Sequence, residues 1–255
     1  MRYMHIQALL AVFLALGAAS SQAHAAVQKI DVGSALPRFH LLKEGTHRYL
    51  RFFHKGDANT PMDIWTRETS FVEKDGRKLL RIRQRWDGAG ATPSVRLLDS
   101  WFEPGTFRPL SHERITDKDG KRLVEGFVFH PDRIVGMPGL KDNAHKDLRV
   151  ASSEPAFNFE ADIEFLQALP LAEGYEAQVN FYHPGGPGAP QRYRFRVAGS
   201  ETIAGPAGPV ECWVVTTDYN NPGSVARFWF AKGSQLMVRQ EATRGDTKLV
   251  KTLID

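Results

Sequence analysis

Lys78-Leu-Leu-Arg-Ile-Arg-Gln-Arg-Trp86 decides the fold. Leu80, Ile82 and Trp86 fall on one face of an extended chain, and Arg81, Arg83 and Arg85 fall on the other. A period of two with one apolar and one charged face marks a half-buried β-strand. Gln191-Arg-Tyr-Arg-Phe-Arg-Val197 repeats the pattern, with Tyr193, Phe195 and Val197 opposite Arg192, Arg194 and Arg196. Ala177, Val179 and Phe181 alternate with Gln178 and Asn180 in the same way. Strands of this kind build antiparallel sheets with one face on the core.

The punctuation between strands agrees. Asp75-Gly76 and Asp119-Gly120 supply the positive φ angles that two-residue hairpins need. Pro104-Gly105, Pro131-Asp132, Asn221-Pro-Gly223, Lys232-Gly233 and Arg244-Gly-Asp246 mark further turns. The spacing predicts about ten short strands without an internal repeat.

Asn158-Phe-Glu-Ala-Asp-Ile-Glu-Phe-Leu-Gln-Ala-Leu169 breaks the strand pattern. Phe159, Ile163 and Leu166 recur at helical spacing, and Phe165 and Leu169 widen the apolar stripe. Asn158 can cap the first turn, and Pro170 stops the helix. Glu160, Asp162 and Glu164 are read as its wet face. One amphipathic helix in a β chain needs a sheet to lie on. The predicted fold is therefore mainly β: a strongly curved, half-barrel-like antiparallel sheet packed on a single helix.

The domain plan follows from the same pattern. Residues 46–255 read as one β-rich domain, with residues 26–45 as an irregular arm before it. Residues 139–156 and the Pro/Gly-rich 183–190 read as connections within that domain. Residues 1–25 read as a signal peptide. Arg2 gives a positive start, Ala8–Gly17 is an apolar run too short to span a bilayer, and Ala23-His-Ala25 offers a cleavage site. The expectation is a periplasmic protein that begins near Ala26, has no transmembrane span and carries no lipid anchor, because the leader holds no cysteine.

Composition narrows the function classes. A formal charge of +4 on 255 residues is too small a surplus to argue for nucleic acid. The one cysteine, Cys212, can form no intramolecular disulfide. Its alternation with Val210 and Val214 reads as a core position, where a thiol is inert.

The C-terminal third carries a resemblance. It runs through Gly205-Pro-Ala-Gly-Pro-Val-Glu-Cys-Trp-Val-Val215, Arg227-Phe-Trp-Phe-Ala-Lys-Gly-Ser-Gln-Leu-Met-Val-Arg-Gln-Glu241 and Leu249-Val-Lys-Thr-Leu253. This series resembles the end of an exported bacterial family of unknown function. That family is similar in architecture to the lipoprotein-carrier (LolA/LolB-like) half-barrels, in which a curved sheet wraps a helix. The resemblance implies a half-barrel that can hold acyl chains. It carries no catalytic residues onto this chain.

Motifs for chemistry are sparse. His40, His47 and His54 recur every seven residues, which is roughly 10.5 Å of rise in a helix and opposite faces in a strand, so they share no ion. No Gly-x-Ser-x-Gly elbow, phosphate-binding loop or His-x-x-x-His pair occurs. Neither a cofactor nor a metal nor an enzymatic activity is expected.

Two features carry functional weight. The arginines at 81, 83 and 85 and at 192, 194 and 196 would form an anion-binding band if their strands were neighbours. The plainer alternative is that they pair with acids on adjacent strands. The aromatic residues would line a cavity between the curved sheet and the helix, with Phe159, Ile163, Leu166, Trp86, Trp101 and Phe195 as candidate ligand contacts. The alternative is that these rings fill the core. The expected function is an exported, non-enzymatic protein binding a lipid or other amphiphile. The rivals are an envelope scaffold that binds a protein partner and, third, a hydrolase using carboxylates such as Glu160, Asp162 and Glu164.

Overall fold

The structure is a computed structural model and describes residues 26–92 and 94–255. The leader reading of residues 1–25 lies outside the described residues. The strands are β1 (Gln28–Ile30), β2 (Gly45–Lys55), β3 (Ala58–Lys74), β4 (Arg77–Gly88), β5 (Ser94–Glu103), β6 (Arg108–Lys118), β7 (Lys121–Phe129), β8 (Arg133–Gly136), β9 (Arg149–Ala151), β10 (Phe157–Asn158), β11 (Glu176–Tyr182), β12 (Gln191–Gly205), β13 (Gly208–Thr217), β14 (Ser224–Ala231), β15 (Met237–Arg244) and β16 (Thr247–Leu253). One α-helix, α1 (Asp162–Gln167), follows β10 after a single 3-10 turn. The described residues thus form sixteen strands, more than the ten or so predicted. The additional strands are mostly two to four residues long, too short for alternation to reveal.

Two antiparallel meanders make one sheet. β2 to β9 run in sequence order on one side, β11 to β16 on the other, and β16 pairs with β2 to join them. That seam sets Val250 opposite Phe52 and Thr252 opposite Leu50. The Asp-Gly turns behave as read: Asp75 and Gly76 have φ of 53° and 70°, and Asp119 and Gly120 repeat those values. Two consecutive positive-φ residues match the twist of the flanking strands, so β3–β4 and β6–β7 close without a longer loop.

The connection between the meanders enters the concave side. The helix is shorter than the predicted 158–169. Phe157 and Asn158 instead pair in parallel with Phe181 and Tyr182 on the free edge of β11. The Asn158 side chain then accepts from the Glu160 N–H at 3.0 Å, which ends the strand and starts the turn. β1 occupies the neighbouring stretch of the same edge, with Gln28 to Ile30 opposite Ala177 to Val179. The N-terminal arm is therefore part of the sheet, and it buries Ile30, Leu36 and Leu42.

Every residue of α1 is buried, Asp162 and Glu164 included. The wet face assigned to this helix does not exist, because the curved sheet, the N-terminal arm and the β14–β15 turn together enclose it. Tyr49, Trp65, Ile82 and Phe102 from one meander and Phe181, Phe195, Phe228 and Phe230 from the other close on Phe165 and Leu166. A smaller apolar cluster on the convex side holds Cys212 with Val214, Trp229 and Val238. Burial pushes the Cys212 thiol up to about 11.

Candidate functional site

The concave face changes character along its length. At one end it is aromatic; toward the other it becomes a network of charged and polar groups. Strand parity explains how they arrive there. Arg67 stands two residues after Trp65, Gln84 two after Ile82, and Arg96 two before Leu98, so each points inward with the apolar set.

Three inward arginines are locked to carboxylates. Arg51 donates to Asp63 through Nε (2.7 Å) and Nη2 (2.6 Å), both groups being buried. Arg67 donates to Glu164 of α1 through Nε at 2.6 Å and through Nη2. Arg114 donates to Glu125 at 2.6 and 2.7 Å, and reaches Glu160 at 3.3 Å. His145 Nε2 lies 3.0 Å from the same Glu125. Burial raises the Glu125 carboxyl, but the hydrogen bonds and charge of Arg114 outweigh it and hold the group below the usual carboxylate range.

Gln84 ties the network to the helix. Its Oε1 accepts from the indole N–H of Trp65 (2.9 Å) and of Trp86 (3.2 Å), and its Nε2 donates to the Glu160 carbonyl (2.6 Å). Arg67 Nη2 donates to the same carbonyl at 3.0 Å. Asp162 accepts from the Ile163 N–H at 2.8 Å; burial pushes its carboxyl up to about 6 against the pull of Lys251 and Arg67. Burial brings Lys251 down to about 8, opposed by Asp162. His112 lies beneath, 2.8 Å from Ser100 Oγ, and burial with nearby Arg114 lowers it to about 3. Glu160 and Glu164 are occupied by arginines, so of the three helix carboxylates only Asp162 has no cation within salt-bridge distance among the described residues.

This charged end opens into a cleft of about 710 Å³ between β2, β3, β4, β5 and β6. Phe53, Pro61, Met62, Trp86 and Val95 supply its apolar lining; Arg96, Lys118 and the Arg51–Asp63 pair supply its charged lining. A smaller recess of about 280 Å³ lies at the opposite end, between Tyr49, Arg67 and the helix residues Ile163, Glu164 and Gln167. No group of three or more His, Cys, Asp or Glu suited to a metal ion occurs among the described residues. No helix among them is long and apolar enough to cross a membrane.

The sequence profile of a family described as a protein of unknown function, DUF3108, matches residues 61–252. The chain belongs to the DUF3108 family. A crystal structure described as a β-barrel-like protein of domain of unknown function DUF1849 from Brucella abortus is similar, with a TM-score of 0.52 and 11% identity over 84% of this chain and 98% of that one. At that identity the likeness concerns the fold alone. A search of curated proteins finds no match. The DUF3108 chain is thus a domain of unknown function on a β-barrel-like sheet, as the resemblance of its C-terminal third implied.

The predicted site residues scatter in this DUF3108 fold. Leu166 and Phe195 are buried among other side chains in the core, and Ile163, buried in the same cluster, also lines the recess of about 280 Å³ between the helix and β2–β3. Phe159 is half-buried, with its ring centroid 3.7 Å from His183 and 5.5 Å from Tyr219. Trp101 lies on the opposite, convex face under Lys74 and Arg81, because it and the inward Phe102 are consecutive and point apart. Trp86 alone lines the cleft.

The arginine stripes do not form a band. β4 and β12 have β13 to β16, β2 and β3 between them. Arg81, Arg83 and Arg85 pair with Asp99, Glu68 and Asp87. Arg192 pairs with Glu154 and Asp31, and Arg194 and Arg196 share Glu176. The inward cations Arg51, Arg67, Arg96 and Arg114 escaped the reading. For Arg51, Arg67 and Arg96 the signal was present: each is a charge at the parity of buried apolar residues of its strand.

Proposed function

We propose that this DUF3108 protein is an exported, non-enzymatic binding protein whose amphiphilic ligand sits in the cleft at the charged end of the curved sheet. One observation carries the reading. The 710 Å³ recess combines an apolar wall of Phe53, Pro61, Met62 and Trp86 with fixed cations. Its size lies within the roughly 300–1,000 Å³ of ordinary ligand pockets. Phe53 is 42% exposed, an aromatic ring that the fold leaves toward solvent at the entrance. This reading puts the ligand at the end of the sheet and not between sheet and helix, where the recess of about 280 Å³ is smaller. The leader of residues 1–25 supports export.

The packed interior favours a second reading, an envelope scaffold that recognises a protein through its surface. A fluorescent fatty-acid probe separates the two. The mature protein should bind the probe, and the probe should raise its melting temperature by preferential binding to the native state. Phe53→Glu, which sets an acid on the apolar wall at an exposed position, should abolish both effects while leaving the unliganded melting temperature within a few degrees of wild type. Absence of binding and of any shift in the wild-type protein would reject the ligand reading and leave the scaffold.

A further inference from the structure

The cleft holds one inward arginine without a carboxylate. Arg51, Arg67 and Arg114 each grip an acid in a two-pronged geometry. The Arg96 side chain makes no hydrogen bond and no ion pair to any described residue. Its guanidinium centre instead rests 5.0 Å from the Trp86 ring centroid, and Arg51 lies 3.8 Å from the same ring. Strand pairing fixes this stack, since Arg96 sits directly opposite Trp86 in the β4–β5 ladder. The lining of the cleft therefore carries Arg51, Arg96 and Lys118 against Asp63, which Arg51 already occupies in full.

We infer that Arg96 is the anchoring point for an anionic oxygen group, a carboxylate or phosphate, whose apolar remainder lies along Phe53, Met62 and Trp86. The inference rests on the proposed cleft and names the class of its ligand. A planar guanidinium offers parallel N–H donors that match such an anion in two-pronged fashion. Stacking on the indole orients the fork and shields one of its faces, so little freedom remains to be lost on binding. Burial first, then Arg114 and Arg51, lower Arg96 from the usual arginine range, with Glu160 and Glu125 opposing them, so Arg96 is a partly buried cation whose charge an incoming anion would neutralise. Lys118 at the rim adds attraction at longer range.

The test compares chains that differ only in the head. Decanoate, decyl phosphate, decanol and inorganic phosphate are titrated against the mature protein by calorimetry at low salt. Wild type should bind decanoate or decyl phosphate at least ten-fold more tightly than decanol, and the preference should shrink as salt rises. Arg96→Gln should lose about ten-fold or more on the anionic chains and nothing on decanol, because it removes charge-assisted hydrogen bonds only. Arg96→Lys should keep part of the preference. Arg83→Gln on the convex face should change nothing, and thermal unfolding of each variant confirms that it folds.

Equal affinity for decanol and decanoate, or an Arg96→Gln variant that binds anionic chains as well as wild type, overturns the anion point while the amphiphile reading stands. Inorganic phosphate bound as tightly as decyl phosphate keeps the anion point and overturns the amphiphile reading. Failure of all four to bind overturns both.

Discussion

Arg67 of β3 and Glu164 of α1 form an ion pair sealed inside the sheet, with Nε 2.6 Å from Oε1 and both side chains less than one-tenth exposed. It is a polar bolt between the helix and the strand it lies on. The remaining Arg67 contacts complete it: the Glu160 carbonyl at 3.0 Å and the Trp65 ring at 4.4 Å. Apolar packing would tolerate several rotations of so short a helix. A two-pronged pair tolerates one, so the pair sets where Glu160 meets Arg114 and where Phe159 meets His183.

Glu164→Gln should destabilise the protein by about 3–5 kcal/mol, because it leaves the Arg67 charge buried without its counter-charge. Replacing both partners together with Met and Leu should recover much of that loss. Glu68→Gln, which breaks the half-exposed pair with Arg83, should cost no more than about 1 kcal/mol. Urea unfolding of the four proteins measures all of this. A Glu164→Gln cost equal to that of Glu68→Gln would show that the pair is not sealed from water.

Stability should rise with pH between about 5 and 6. Burial lowers His112 from 6.5 to about 3 and His183 from 6.5 to about 4, so in this window the unfolded chain binds two protons that the native state does not. Asp162, raised by burial from 3.8 to about 6, acts oppositely: the native state holds a proton there that the unfolded chain has released. From these three groups the net difference is one proton in favour of the unfolded state, a slope of about 1.4 kcal/mol per pH unit. His112→Asn should bring that slope close to zero, because His183 and Asp162 then cancel. Denaturant midpoints measured at half-unit steps check it; a stability that falls with rising pH in this window would reverse the assignment.

The curved sheet was legible because Leu80, Ile82 and Trp86, and Tyr193, Phe195 and Val197, keep strict parity along their strands, and because Asp75-Gly76 and Asp119-Gly120 have essentially one turn to make. The helix was legible in kind and misread in length, since Phe157-Asn158 found a free edge on β11 that no local pattern announces. The site was not legible. Arginine at alternating positions reads as a solvated face, and for Arg81 to Arg85 it is one. Arg67 and Arg96 have the same chemistry at the opposite parity, and only the sheet closing over α1 turns that parity into an interior. Trp101 failed for the converse reason: an aromatic residue reads as core, yet its neighbour Phe102 had taken the inward position.

The export reading makes a direct prediction. Protein recovered from the periplasmic fraction should begin at or within a few residues of Ala26 by N-terminal sequencing. An intact Met1 terminus in that fraction would remove the leader from the argument and, with it, the periplasmic setting of the proposed function.

Phe159 and Phe165 should separate in a stability measurement. Phe165 is 1% exposed and packs edge-on to Phe107 and Phe181 and at 4.5 Å from Phe157. Phe165→Ala should therefore cost about 3–5 kcal/mol, the transfer term plus a cavity that surrounding rings cannot collapse into. Phe159 is half-buried, held by His183, Tyr193 and Tyr219 near the charged end of the interior. Its truncation opens space that water can enter and that His183 can lean into, so its cost should fall to about 1–2 kcal/mol below that of Phe165→Ala. Removing the ring also takes away the apolar cover over His183. The imidazole should then regain solvent and titrate closer to 6.5, which a two-dimensional NMR titration of the histidine resonances would follow directly. An unmoved His183 titration together with a full core-sized loss at Phe159 would mean that this end of the interior is as dry as the centre.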